Sequence, residues 1–337
     1  MITTYTETAK PAFISLRQRL RALTRAISLW AKKNYQLQRE SPAPLAMMRI
    51  ALGGAMLFQA GSIYPHLYAL FGRLGIMQPE ATMLVARPEM PRIHWFTDWA
   101  AATLGWNETL GLAVFFWTYA GVMALYAAGG LTRVAAPAAW LLHLMLKTTG
   151  ATNIYGVSEF ANILLFYSIF MPVGARWSVD SLWGRRQASR TLGAALARRV
   201  LRWHLCLVYI SSGIGKAQGE QWHTGEAIWR ATFRSENPFT IDFLAQVPWF
   251  AAVLCWGTLF LEAGYILMFW RKARGWFLAS IIMLHTSIAI CLGLWVFAAV
   301  MIAFNLGAWA GTGARPWLPE CLLKRFPLLR KVASSHA

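Results

Sequence analysis

Lys216 is the residue best placed to do chemistry. It closes an apolar run in the stretch 209–227, YISSGIGKAQGEQWHTGEA, where Tyr209, Ser212 and Lys216 recur at i, i+3 and i+7. That spacing sets the three side chains on one face of a helix. A lysine held in apolar surroundings has a lowered pKa and serves as a general base near neutral pH. The same position also suits a lysine that snorkels its ammonium to a headgroup layer, and the spacing leaves both readings open. Gly213 and Gly215 permit close approach of a second backbone beside it.

Two more ionisable groups sit inside apolar runs: Glu262 in LFLEAGYILMF and His285 in SIIMLHTSIAI. Such groups are costly in a membrane and call for a partner or a function. From the basic turn at 271–274, Glu262 is about nine residues up one helix and His285 about eleven up the next. At ~1.5 Å per residue these are similar depths on antiparallel neighbours, so His285 is the expected partner of Glu262. A polar clamp without chemistry fits the pair equally well. Asn305, Glu159 and Asn162 are weaker candidates for the same interior, while His143 and His204 read as packing or interfacial histidines. No HExxH, Gly-rich phosphate loop or Gly-x-Ser-x-Gly elbow occurs, and no metal site is expected. Cys206, Cys255, Cys291 and Cys321 form no CxxC pair and suggest no disulfide framework.

The elements that must position these residues are helices in lipid. Of 337 residues, 57% are hydrophobic and 14% charged, against roughly 25% charged in a soluble domain. The expected fold is all-α, a polytopic transmembrane helical bundle of about eight spans. They fall near 45–63, 107–128, 132–149, 157–173, 197–216, 247–270, 275–292 and 294–311. With both termini cytoplasmic, segments on that side hold 24 of the 32 Lys and Arg. This bias sets orientation. It also turns the net charge of +18 toward anionic lipid rather than nucleic acid. Lys216 then lies at the exterior end of the fifth span.

Three parts follow: a basic segment 1–43, a transmembrane domain 44–311 and a basic tail 312–337. The first forty residues read as lacking a cleavable signal peptide. Within them Phe13–Tyr35 has the pattern of an amphipathic helix on the cytoplasmic membrane surface, a partner-binding or targeting arm being the other reading. The long exterior loops, about 64–106 and 217–246, are candidates to lid a cavity or dock an exterior or membrane partner protein. The expected location is the cell membrane, multi-pass, of the bacterial inner-membrane type.

The stretch around Lys216 resembles the signature of the horizontally transferred transmembrane (HTTM) domain, the membrane portion of vitamin K-dependent gamma-carboxylase. Tyr209, Gly213, Lys216, Trp222, Gly225 and Ala227 supply its pattern. RWSVDSLW at 176–183 resembles the family segment after the fourth span, and the Glu262 and His285 helices resemble its acidic and histidine helices. Together these cover roughly residues 45–311.

The resemblance implies Lys216 as a base that deprotonates a reduced, vitamin K-like quinone cofactor, with His285 as a second catalytic residue. Tyr209, Ser212, Trp222, Glu262, Asn153 and Asn305 would line or support the cavity. Two departures tell against a peptidyl-glutamate carboxylase. The family's Asn-His pair is matched by Asn153 and Ile154, and the carboxylase's large C-terminal lumenal domain has no counterpart. Two readings follow: an exterior-facing membrane enzyme of quinone-linked or carboxylase-like type, or a non-catalytic membrane subunit that docks a partner.

Overall fold

A computed structural model describes residues 38–85, 87, 89–151, 156–184, 189–232 and 243–312. The amphipathic helix expected over 13–35, Asn153 and the tail beyond 312 lie outside them. Every apolar interval expected to be a span carries a helix. These are α1 (Ala43–Ile63), α2 (Glu108–Ala128), α3 (Thr132–Thr149), α4 (Gly156–Phe170), α5 (Leu192–Ala217), α6 (Pro248–Ala263), α7 (Arg274–Leu292) and α8 (Trp295–Trp309). Among the described residues no strand forms beyond one bridge between Glu40 and Thr191.

Local chemistry sets the boundaries. Asn107 accepts the Leu110 amide at 2.8 Å and starts α2. Thr191 accepts the Ala194 amide at 3.0 Å, so α5 starts at Leu192 rather than near 197. Past Ala263, α6 tightens into a 3₁₀ segment, Gly264–Phe269, which completes the sixth interval. α3 is started from a distance. Asp180 accepts the amides of Leu131 at 2.7 Å and Thr132 at 2.8 Å, and the Thr132 hydroxyl at 2.7 Å.

Four helical stretches, Ala43–Phe71, Glu108–Ala128, Pro248–Phe269 and Arg274–Leu292, are long and apolar enough to cross a membrane; Gly156–Phe170 and Trp295–Trp309 are apolar but shorter. α3 and α5 are more polar, with Arg133 and Lys147 on one and Arg198, Arg199, Arg202 and Lys216 on the other. α8 is the hub. Its 15 residues span only ~22 Å, short of the ~30 Å of hydrocarbon, yet it packs against α1, α4, α5 and α7. Ala298, Val300, Ala303, Phe304 and Ala308 are buried there. By contrast Trp117, Leu207, Val253, Trp256, Phe260 and Met283 face outward, an apolar surface suited to lipid.

Guanidinium groups hold the end of the bundle opposite Lys216. Arg49, fully buried in α1, donates to the carbonyls of Ala127 at 3.2 Å, Val173 at 2.7 Å and Arg176 at 3.4 Å, and to that of Trp177. Gly129 makes room for it: with φ +73°, a Cβ there would lie 2.7 Å from the Arg49 Cζ and 2.5 Å from the Ser178 Cβ. The last carbonyls of α8 are met the same way. Arg198 reaches Gly307 and Ala308 at 3.2 Å, and Arg202 reaches Ala308 at 2.9 Å. Arg274 reaches Thr312 at 2.8 Å. Glu40 neutralises Arg198 at 2.7 Å and Arg202 at 2.6 Å. Arg198 and Arg202 are therefore spent inside the bundle rather than offered to anionic lipid.

Candidate functional site

Lys216 sits at the last turn of α5, and its Nζ is fully engaged. It donates to Glu262 Oε1 at 2.7 Å, to Glu262 Oε2 at 2.5 Å and to Ser212 Oγ at 2.8 Å. The ammonium also lies 5.3 Å from the centre of the Trp222 ring. Its side chain is 26% exposed and that of Glu262 9%. Gly213 makes this approach possible, because a Cβ there would stand 2.5 Å from the Ala263 amide nitrogen. Gly215 plays no such part: nothing lies within 4 Å of where its Cβ would be.

The partner of Glu262 is thus Lys216 and not His285. Depth along a helix leaves rotation about its axis open. α6 packs mainly on α5, so its carboxylate turns toward Lys216. His285 belongs to a second cluster. Its Nε2 lies 2.6 Å from the Tyr209 hydroxyl, which receives Asn305 Nδ2 at 2.9 Å. Asn305 Oδ1 accepts from the Tyr265 hydroxyl at 2.7 Å, and that hydroxyl receives Trp309 Nε1 at 2.9 Å. The Tyr209 and Tyr265 rings stack at 4.4 Å. Trp309 lies between the guanidinium groups of Arg202 and Arg274, 5.2 and 5.1 Å from its ring centre.

Donor counting fixes the protons in this chain. The indole N–H and the Asn305 Nδ2 group can only donate, so each tyrosine oxygen receives one bond. Pairing every donor with an acceptor has Tyr209 donate to His285 Nε2, with the hydrogen of the neutral ring on Nδ1. That Nδ1 is buried with no partner among the described residues.

Ser212, Trp222, Glu262 and Lys216 come together, while Tyr209 and Asn305 join His285. Glu159 turns elsewhere, pairing with Lys147 at 2.7 Å. Asn162 Oδ1 is buried without a partner among the described residues. His143 bridges the Tyr119 hydroxyl at 3.1 Å and the Ser158 carbonyl at 3.3 Å, and His204 meets the Tyr167 hydroxyl at 2.8 Å. The stretch 176–183 is structural: Ser178 and Ser181 form a capping box, Asp180 caps α3, and the carbonyls of Arg176 and Trp177 receive Arg49.

A cavity of about 740 Å³ lies at the Lys216 end but touches neither Lys216 nor His285. It sits among the ends of α1, α3 and α4 beneath the segment 70–90, so the first long loop does wall a cavity. Sequence reasoning missed it.

Comparison with known proteins agrees with the helical, membrane-type reading. The chain is 24% identical over 211 residues to the uncharacterized protein YitO of Bacillus subtilis (strain 168), covering 59% of this chain and 67% of that protein. No solved structure matches. The HTTM domain model matches residues 92–306, well over half the chain, with Lys216, Glu262, His285 and Asn305 inside the match. The chain belongs to the HTTM domain family.

Proposed function

We propose that this HTTM protein is a membrane-embedded acid–base catalyst working at the exterior face, with Lys216 and Glu262 as its proton-exchanging pair. One observation carries the reading: a lysine and a glutamate from two helices, both largely withdrawn from solvent, with the ammonium fixed by both carboxylate oxygens and Ser212. In surroundings of low polarity, shifting one proton from Nζ to the carboxylate removes two charges and changes the net charge not at all. The amine so exposed accepts a proton from a lipid-soluble reactant with an acidic O–H, leaving its anion, and Glu262 then releases its proton to water at the exterior face, which restores the ammonium–carboxylate pair. Trp222 covers the pair.

A reduced, vitamin K-like quinone is the reactant that the resemblance implies. Tyr209 occupies His285 Nε2, and the 740 Å³ cavity is lined by neither residue. The proposal rests on the pair alone.

The test is dioxygen uptake by proteoliposomes loaded with a reduced naphthoquinone as the acidic probe. Lys216→Met should slow the wild-type rate by about 100-fold or more, the range expected for loss of a positioned base. A wild-type rate equal to that of protein-free vesicles, or no change in a well-inserted Lys216→Met protein, overturns the reading.

A second reading, a non-catalytic subunit that docks a partner on its exterior loops, is favoured by a separate observation. Leu74, Ile76 and Leu84 on the segment 64–106 are 87%, 73% and 90% exposed. Under it, Leu84→Lys abolishes co-purification of the partner while Lys216→Met leaves it intact.

A further inference from the structure

The cavity among α1, α3 and α4 sets an excess of positive charge against a mainly apolar wall. Ile63, Leu70, Phe71, Leu146 and Val296 supply much of that wall. Its volume of about 740 Å³ falls within the ~300–1,000 Å³ of small-molecule sites. Three charged residues line it: Arg87, Lys147 and Glu159. Lys147 and Glu159 pair at 2.7 Å, so their charges cancel locally. Arg87 is exposed and forms no ion pair among the described residues. Other polar groups at the wall are spent on the protein. The Ser62 hydroxyl donates to the Phe58 carbonyl at 3.1 Å. His143 sits between the Tyr119 hydroxyl and the Ser158 carbonyl, so both its ring nitrogens are engaged.

We infer that this cavity binds a long-chain carboxylate, its head on Arg87 and its alkyl chain along the apolar wall. The guanidinium decides the head. Its planar fork offers two parallel N–H groups, which match the two oxygens of a carboxylate, and such bonds are about twice as strong as neutral ones. Charge counting agrees. One monoanion brings the site to two cations and two anions, whereas a cationic head would meet Arg87 and Lys147 with only the engaged Glu159 to face it. An uncharged head is not repelled, but it forgoes the charge-assisted bonds. The aliphatic wall decides the tail, because only an apolar chain gains by leaving water along it. That wall also lowers the local polarity, which strengthens the pull of Arg87 on the anion. The site goes beyond the acid–base reading, for it shares no residue with the Lys216–Glu262 pair.

The experiment is saturation binding of radiolabelled dodecanoate to the detergent-purified full chain at about pH 8, where the carboxyl is ionised. Unlabelled 1-dodecanol and dodecyltrimethylammonium serve as competitors. Each ligand is compared with itself between proteins, which cancels its partition into micelles. Dodecanoate should saturate one site per chain. Arg87→Gln, a change at an exposed position, should weaken dodecanoate by about tenfold or more, the low end of what a bond to a charged group contributes. It should leave dodecanol unchanged and tighten dodecyltrimethylammonium. Glu159→Gln frees Lys147 as a second cation and should tighten dodecanoate about threefold. Ile63→Trp fills the wall and should weaken dodecanoate and dodecanol alike. Lys216→Met should bind dodecanoate like wild type, which separates failure of this site from failure of the acid–base pair. The inference is overturned by non-saturable uptake, by an Arg87→Gln protein that keeps its affinity for dodecanoate or loses dodecanol equally, by weaker binding to Glu159→Gln, or by unchanged binding to Ile63→Trp.

Discussion

Tyr209 donates a hydrogen bond of 2.6 Å to His285 while accepting from Asn305 at 2.9 Å, so one buried hydroxyl ties α5 to both α7 and α8. Tyr209→Phe keeps the ring stack on Tyr265 but strands the acceptor on His285 and the donor on Asn305. A loss of about 1 to 3 kcal/mol is expected from the unmet groups. Thermal unfolding in detergent measures it, and an unchanged midpoint would show that the chain of bonds carries no stability.

Lys216 and Glu262 should be coupled. Glu262→Leu alone leaves a partly buried ammonium unpaired, at a cost below the ~3–5 kcal/mol of a fully buried pair because Lys216 keeps some contact with solvent. Lys216→Met alone leaves the more deeply buried carboxylate unpaired. The double variant, two apolar groups in contact, should recover most of the loss. Additive effects in this double-mutant cycle would mean that the two charges do not stabilise one another.

The two glycines beside Lys216 should part company. Gly213→Ala drives a methyl group into the Ala263 backbone and should separate α5 from α6, with poor yield of folded protein. Gly215→Ala meets nothing and should be neutral or stabilise by about 0.5 to 1 kcal/mol, as expected for glycine to alanine in a helix. Expression and thermal midpoints of the two variants, measured together, decide this.

His94 makes the segment over the cavity acid-sensitive. Burial pushes its imidazole below the ordinary value of 6.5, and the carbonyl of Phe71, 3.2 Å from Nε2, offsets this only in part. Above that value both folded and unfolded chains are neutral there and stability is full. As pH falls through 6.5 the unfolded chain binds a proton first, so stability declines until the lower folded value is reached. Proteolysis within Ile93–Leu104 should therefore rise between about pH 7 and 5, and His94→Gln should flatten the profile.

Much of this architecture was legible because apolar runs bounded by caps and basic turns leave a chain few choices. The eight intervals became helices, and the i, i+3, i+7 spacing did bring Tyr209, Ser212 and Lys216 to one side. The rotation of α6 was not legible: a hydropathy pattern gives depth along an axis, and Glu262 chose its partner by azimuth. Nor was the fate of Arg49, Arg198 and Arg202. In a charge count they look like residues that face a headgroup layer, and only the folded chain shows carbonyls awaiting them. The cavity escaped because most of its wall comes from aliphatic residues that read as ordinary span and loop.

The borrowed arginines at the end of α8 impose an order on biosynthesis. A ribosome makes this helix after those bearing Arg198, Arg202 and Arg274, and those three cations have no full set of acceptors until Gly307, Ala308 and Thr312 arrive. The nascent protein therefore waits with a charged, unfilled slot at one end of the bundle, and this fifteen-residue helix acts as the keystone. A chain stopped after Leu292 should be held by quality-control proteases rather than accumulate, whereas one stopped after Thr312 keeps every acceptor and should persist.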